Sequence, residues 1–314
     1  MQKLRQSGTL IGFVLIIAFF SFQLPDTFLT ARNLLNISQQ LSMLAVVAAT
    51  MTIVMVMNDF DLSVGSMASL SGIVAATLFV NEYSIWAGIG VALLVGLVGG
   101  LFNGILVSVV GILPFVATLG TLTVFSGAAF LLSDGKTIFG RDIPKSFSDF
   151  SRGGIEVGSI KIPMLTITAG FVIFICWYIL EQTNFGRRLY AIGGNREASY
   201  LAGIKVVKLR MLAFALTGLG AAVAGLMYAS RVASANPTQG AGLMLDAIAA
   251  VFLGMTMSKQ SEPRVIFTLV GVLVLGVLDN GMTQMRVDSY VREILVGLIV
   301  IAAVAVSSIS KANR

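Results

Sequence analysis

Residues 184–211 read N-F-G-R-R-L-Y-A-I-G-G-N-R-E-A-S-Y-L-A-G-I-K-V-V-K-L-R-M, a short basic segment between two long apolar runs. Its cations are Arg187, Arg188, Arg196, Lys205, Lys208 and Arg210. Lys and Arg in a short connection between membrane spans resist translocation and keep that connection in the cytoplasm. We therefore predict that this segment, called the basic knob below, projects from a membrane-embedded body into the cytoplasm.

The basic knob also carries the local signals of a short helix. These signals lie at Gly193, Gly194, Asn195, Arg196, Glu197, Ala198 and Gly203. Asn195 is a favourable N-cap, the three residues after it open a helical pattern, and Gly203 ends it. The two glycines before the cap predict a turn. We expect a small folded structure that a partner protein contacts.

Composition places the rest of the chain in the membrane. Charged residues make up 11% of the 314 residues and hydrophobic residues 56%, with a mean hydropathy of +0.91. A soluble domain carries about 25% charged residues, and several runs here exceed the roughly 18 apolar residues that cross a bilayer. The predicted fold class is all-α, a polytopic membrane protein with residues 1–314 as a single transmembrane domain. The net charge of +6 follows from basic inside loops and does not indicate nucleic-acid binding.

The apolar runs predict about ten transmembrane helices with the N- and C-termini in the cytoplasm. The first run follows Lys3 and Arg5 and lacks a small-x-small cleavage site, so we expect an uncleaved span. The predicted spans are residues 9–22, 41–57, 62–80, 85–110, 114–132, 163–180, 212–229, 243–257, 265–278 and 291–308. Residues 133–161 form a long outside loop, and a broken helix within residues 41–80 would change the count.

Short matches between the two halves suggest an internal repeat. Residues 41–45 (L-S-M-L-A) resemble residues 209–213 (L-R-M-L-A), and residues 102–104 (F-N-G) resemble residues 279–281 (D-N-G). Spans two to five would then correspond to spans seven to ten, and the halves start from opposite sides of the membrane. Inverted repeats with interrupted helices are typical of transporters, although matches this short also arise by chance.

Gly96, Gly100 and Gly104 recur every four residues on one face of the fourth span. Small residues at this spacing let two helix backbones approach closely. The pattern predicts a helix-packing face rather than a ligand site.

Two carboxylates, Asp59 and Asp61, interrupt the apolar sequence between the second and third spans. An ionised side chain at the bilayer centre costs roughly 2.5–3.5 kcal/mol, so both need water, a cap or a partner. Asp61 and Ser63 could cap the third span, where the helix dipole favours negative charge. A second interpretation, compatible with the first, is a broken helix that presents polar groups to a sugar-like solute. A proton relay would need a basic partner, and none is evident in the sequence.

Further polar residues lie in or beside the spans: Asn103, Asn236, Gln239, Asp246, Asp279 and Asn280. Amides and carboxylates suit neutral hydroxylated solutes, but each could equally form an interhelical hydrogen bond worth about 0.6 kcal/mol. The predicted solute pathway comprises Asp59, Asp61, Ser63, Asn103, Gln239, Asp246 and Asn280.

Enzyme functions receive little support from the sequence. There is no histidine, which removes the commonest metal ligand and general base. The single cysteine, Cys176, lies in an apolar run and can form no intramolecular disulfide. Gly135-Lys136-Thr137 resembles the end of a nucleotide-binding loop, but Phe130 occupies the position of its leading glycine. We predict no catalytic residue, no metal and no cofactor bound by this chain.

Three stretches resemble the permease subunits of bacterial ABC importers for monosaccharides, the ribose, arabinose, xylose and galactose group. They are residues 59–66 (D-F-D-L-S-V-G-S), residues 185–204 of the basic knob, and residues 239–251 (Q-G-A-G-L-M-L-D-A-I-A-A-V). The resemblance covers nearly the whole chain. It departs at residues 255–264 (M-T-M-S-K-Q-S-E-P-R), where the family usually has a glycine-rich cytoplasmic turn.

The resemblance implies a function and a set of partners. The chain would move a pentose or hexose across the inner membrane by alternating access, driven by ATP that a separate cytosolic subunit binds and hydrolyses. A periplasmic binding protein would deliver the sugar, and a second permease copy or a sister permease would complete the pathway within the lipid bilayer. The coupling helix for the ATPase would comprise Gly193, Gly194, Asn195, Glu197, Ala198 and Gly203.

Two other functions remain open. A stand-alone secondary sugar transporter or channel would explain the spans, but it has no need of a partner-docking helix. A membrane-embedded enzyme would need a nucleophile or metal constellation that the sequence does not offer.

Overall fold

The computed structural model describes residues 2–158, 160–258 and 260–312 and is mainly helical. The helices are α1 (Gln2–Gln23), α2 (Ala31–Met55), α3 (Val64–Val80), α4 (Ile85–Ile105), α5 (Pro114–Ser133), α6 (Lys145–Arg152), α7 (Met164–Trp177), α8 (Asn184–Gly194), α9 (Arg196–Leu201), α10 (Val206–Val232), α11 (Leu243–Met257), α12 (Val265–Gln284) and α13 (Ser289–Ala312). Helix α4 continues into a π-helical turn, Leu106–Val110, and α7 into another, Tyr178–Gln182.

Every predicted span falls on one of these helices, but they differ in their capacity to cross a bilayer. Six segments are both long and apolar enough: Ala31–Met55, Ile85–Val110, Pro114–Ser133, Met164–Gln182, Val206–Val232 and Val265–Gln284. Thr9–Gln23, Val64–Val80 and Leu243–Met257 are apolar but shorter. The chain is therefore a multi-pass helical protein, and the count of ten spans stays a prediction.

The second span begins earlier than the sequence predicts. Helix α2 starts at Ala31, ten residues before the predicted boundary at residue 41, because polar residues in its first turns find partners inside the bundle. Asn33 pairs with Asn280 of α12, and Ser38 shares a hydrogen bond of 3.0 Å with Thr166 of α7. The helix ends at Met55, and residues 56–63 lead directly into α3.

Helices α2 and α10 form the centre of the bundle. The apolar window of α2 is 83% buried and that of α10 is 67% buried, whereas those of α5 and α7 are only 28% and 22% buried. Helix α2 packs on α7, α10, α11 and α12, and α10 packs on α2, α3 and α4. The exposed faces of α5 and α7 are therefore available for lipid or for another subunit.

The glycine face of α4 packs on α10, as the sequence predicts. A Cβ added at Gly104 would lie 2.7 Å from the Cα of Met211, and added atoms at Gly96 and Gly100 would overlap the backbone of Gly218 and Phe214. Only glycine leaves room for this approach of two helix backbones.

The predicted loop 133–161 contains secondary structure, so the fold is not purely helical. Strand β1 (Ile138–Phe139) pairs with β4 (Ser234–Ala235), and β2 (Gly154–Val157) forms a hairpin with β3 (Ile160–Pro163). Helix α6 lies on α10 through Ser230, whose hydroxyl donates to the Phe147 carbonyl at 2.6 Å. The Ser151 hydroxyl donates in turn to the Ser230 carbonyl at 3.0 Å. These contacts make the loop a folded cap over one end of the bundle.

Candidate functional site

The basic knob consists of two short helices, α8 and α9, separated by a single residue. Asn195 has an extended backbone and accepts a hydrogen bond from the Ala198 N–H at 2.9 Å, so it caps α9 as predicted. Helix α9 ends before Gly203, whose φ of +82° lies in the left-handed region that favours glycine. The predicted turn at Gly193 and Gly194 is wrong, because both belong to the last turn of α8. Asn195 is the one residue that separates α8 from α9.

Gly193 has a packing role instead. A Cβ at this position would overlap the carbonyl of Val56, which follows the end of α2. The neighbouring Asn58, in a left-handed conformation with φ +58°, donates its Nδ2 to the Gly193 carbonyl at 2.7 Å. The end of α8 therefore lies directly on the connection between α2 and α3.

Asp59 forms the electrostatic centre of this contact. Its carboxylate is 1% exposed and is bound at both oxygens by Arg210 of α10, with distances of 2.7 Å to Nε and 2.9 Å to Nη2. Arg196, the first residue of α9, contacts the same carboxylate at 3.2 Å. Asp59 therefore has two basic partners that were not evident in the sequence, whereas the contacts of Asp61 are with Ser63 and Asn103. From the sequence, Arg196 and Arg210 were interpreted only as positive charges that keep the knob in the cytoplasm.

Asp61, Ser63 and Asn103 form a second polar cluster, and each is at most 2% exposed. Asp61 Oδ1 accepts hydrogen bonds from the backbone N–H of Ser63 at 2.9 Å and from its hydroxyl at 2.6 Å. Asn103 of α4 donates to the Ser63 hydroxyl at 2.8 Å, while its own Oδ1 has no partner among the described residues. The predicted capping by Ser63 is not made, because its αR backbone leaves the side chain directed to Asp61 instead of α3.

The other predicted pathway residues lie elsewhere. Gln239 precedes α11, where it accepts from the Asn236 N–H and donates to the Gly225 carbonyl. Asn280 exchanges amide hydrogen bonds of 3.0 and 3.1 Å with Asn33. Asp246 lies on α11. Asn280 thus shows the interhelical hydrogen bonding that was the alternative to solute contact, and the seven residues do not form one site.

A cavity of about 190 Å³ lies between α3, α5 and the connection before α11. Its hydroxyl-bearing lining residues are Ser66, Ser69, Ser126 and Thr238. Leu62, one residue after Asp61, also lines it. Ser66 and Ser69 follow the predicted broken helix, but no signal in the sequence separated Ser126 or Thr238 from ordinary packing positions. The three-residue spacing of Ser66 and Ser69 on α3 was the available clue.

Tyr190 connects the basic knob to the atypical turn at residues 255–264. Its hydroxyl donates to the carbonyl of Pro263 at 2.9 Å. Burial raises the pKa of Tyr190 above its usual value, which keeps the hydroxyl protonated and able to donate. This turn therefore contacts α8 through a backbone group that does not depend on a glycine-rich sequence.

The fold and these clusters define a class of protein. Apolar helices surround a buried centre, polar side chains join the helices, and a small, mainly apolar cavity with four hydroxyl-bearing residues in its wall lies beside α5. Within residues 2–158, 160–258 and 260–312, no group of three or more Cys, Asp or Glu residues is arranged to hold a metal. The class is a multi-pass helical membrane protein with a folded extramembrane knob.

The family follows from comparison with known proteins. Residues 33–304 match the family described as branched-chain amino acid transport system / permease component, and the chain belongs to it. The ribose import permease protein of Haemophilus influenzae is 37% identical over 96% of this chain and 92% of its own length. The Bacillus subtilis protein of that name is 38% identical over 97% and 92%. The L-arabinose ABC transporter permease protein of Azospirillum brasilense is 34% identical over 96% and 87%.

A solved structure shares the fold. An ABC transporter described as of metal-chelate type, in an inward-facing conformation, matches with a TM-score of 0.54 and 17% identity over 96% of this chain and 98% of its own. The permease architecture predicted from sequence resemblance therefore agrees with both the family and the fold.

Proposed function

We propose that this chain is the permease subunit of an ABC importer that moves a monosaccharide from a periplasmic binding protein across the bacterial inner membrane. One observation carries the proposal. In a chain of this permease family, the folded knob is held against the helix bundle by the Asn58–Gly193 hydrogen bond and the Arg196–Asp59 ion pair. The relatives named for ribose, arabinose, allose and galactose support a pentose or hexose as the solute. In this proposal ATP is bound by the partner subunit and not by this chain.

The basic knob is the proposed docking site for the cytosolic ATPase. On α9, Tyr200 is 70% exposed and Leu201 is 78% exposed. These two adjacent side chains give the short helix a contiguous apolar surface, which is the kind of patch that marks a protein–protein contact. Five of the six predicted coupling residues, Gly194, Asn195, Glu197, Ala198 and Gly203, are exposed around them, whereas Gly193 contacts Val56.

The cavity beside α5 is the proposed solute path. Its hydroxyls can exchange hydrogen bonds with a sugar without placing charge in the membrane. Its volume of about 190 Å³ is below the roughly 300–1,000 Å³ of typical ligand sites. The exposed face of α5 supports completion of the path by a second permease copy or a sister permease.

The finer membrane topology is also proposed: ten spans, both termini in the cytoplasm, and an inverted repeat relating α2–α5 to α10–α13. Helix contacts support the repeat. Helix α3 packs on α4 and α5 as α11 packs on α12 and α13, and α4 packs on α10 as α12 packs on α2. In this arrangement the folded cap at residues 133–161 lies outside, where the binding protein would approach.

Co-purification tests the docking proposal. The protein with Leu201→Ser is purified in mild detergent from cells that also contain the importer's ATPase, beside Tyr83→Ser as a control. Tyr83 is 60% exposed in the short turn between α3 and α4, on the opposite side in the proposed topology. If the Leu201 side chain contributes about 1.4 kcal/mol or more to the binding free energy, its loss lowers the retained ATPase at least ~10-fold. Equal retention by both variants and the wild type would remove the knob from the interface.

A further inference from the structure

The connection between α2 and α3 contacts the basic knob at three successive points. Val56 packs against Gly193, Asn58 binds the Gly193 carbonyl, and Asp59 binds Arg196. Contacts this closely spaced along one short segment fix its position relative to the knob. A displacement of α8 and α9 therefore acts first on residues 56–59.

The two arginines at Asp59 hold it in different ways. The Arg210 side chain is 6% exposed, binds both carboxylate oxygens and also donates to the Val107 carbonyl in the π-helical turn after α4. The Arg196 side chain is 50% exposed and contributes one contact of 3.2 Å. Bidentate buried pairs are rigid, whereas exposed single contacts exchange readily with water. Arg196 can leave Asp59 while Arg210 keeps the carboxylate neutralised.

The same segment ends at the cavity. Two residues after Asp59, Asp61 binds Ser63, and Asn103 of α4 donates to the Ser63 hydroxyl. Leu62, which lies between Asp61 and Ser63 in the chain, forms part of the cavity wall. The Arg196–Asp59 contact and the short backbone segment 59–62 thus connect α9 to the proposed solute path.

We propose that Asp59 is a positioning residue that transmits movement of the basic knob to the cavity, with Arg196 as its releasable contact and Arg210 as its permanent one. This inference rests on the proposed function. When the ATPase displaces α9, Arg196 separates from Asp59 and the 56–63 segment shifts at Leu62. When α9 returns, the contact forms again and restores the cavity wall.

The test uses the complete importer in proteoliposomes, with an equimolar mixture of labelled ribose, arabinose, allose and galactose as the probe. The measured quantity is sugar imported per ATP hydrolysed. Arg196→Gln removes the releasable contact at a half-exposed position, and Arg196→Lys retains its charge. Arg32→Gln makes the same charge change at an exposed position in the first turn of α2, outside the knob. ATPase retention is measured in parallel.

We expect Arg196→Gln to lower the sugar imported per ATP at least ~5-fold, the lower end of typical coupling between sites. ATPase retention should stay within about 2-fold of wild type, Arg196→Lys should recover part of the ratio, and Arg32→Gln should match wild type. An unchanged ratio in Arg196→Gln would overturn the inference. So would loss of ATPase retention, which would make Arg196 a docking contact. Wild-type uptake that needs no ATP would overturn the proposed function itself, and the inference with it.

Discussion

The substitution Asp59→Asn tests how much the buried ion pair contributes to stability, because it removes the negative charge with almost no change in side-chain shape. It leaves Arg210, 6% exposed at the side chain, without a counter-ion. Breaking a buried pair from one side costs about 3–5 kcal/mol because the remaining charge is uncompensated. Loss of the half-exposed Arg196 contact adds at most about 1 kcal/mol. At about 2 °C per kcal/mol for a large chain, we expect the Tm to fall by roughly 6–12 °C.

The assay is thermal unfolding of the purified chain in detergent, followed by the loss of monodisperse protein. Arg196→Gln is the first control and should lower the Tm by no more than about 2 °C, because only the exposed contact is lost. The double variant with Asp59→Asn and Arg210→Met should recover most of the loss, since no unpaired charge stays buried. A Tm for Asp59→Asn within about 2 °C of wild type would refute the account of a buried pair.

Further predictions concern packing, capping and the polar cluster. Gly100→Ala should destabilise the chain by about 1–3 kcal/mol because its methyl meets the Phe214 carbonyl. Gly90→Ala, on the same helix with open space around it, should not; equal Tm values would contradict the packing. Asn195→Ala should cost about 1 kcal/mol through loss of the α9 cap and reduce ATPase retention, and unchanged retention would count against α9. Asp61→Ala should impair uptake or folding because two Ser63 donors lose their acceptor; a fully active variant would remove Asp61 from the path.

Local physics made much of the fold predictable. Long apolar runs determine where helices lie, since a backbone in lipid must satisfy its own hydrogen bonds. Asn195 and Gly203 act within a few residues of their own positions, so the start and end of α9 could be read from the sequence. Helix α8 was missed because its paired glycines are typical of turns. The close packing on Val56 explains Gly193, whereas Gly194 has open space around it.

The candidate site was less predictable because its contacts join distant parts of the chain. Asp59 and Arg210 are 151 residues apart, and one sequence contains no signal for such a pairing. Polar residues inside membrane spans need hydrogen-bond or charge partners. The sequence therefore marked these residues as candidates for a functional site but did not show which of them contact each other. Asp61 and Asn103 lie in one buried polar cluster beside Leu62, which lines the cavity, whereas Asn280 pairs with Asn33 in an unrelated contact.

The most direct test of the central claim is the energy source for uptake. Proteoliposomes would contain this chain, its ATPase and the matching binding protein, with labelled ribose, arabinose, allose and galactose outside. The account predicts uptake with enclosed ATP, none with a non-hydrolysable analogue, and no loss when a proton ionophore is added. Uptake that persists without ATP and collapses with the ionophore would contradict the account and indicate a stand-alone carrier.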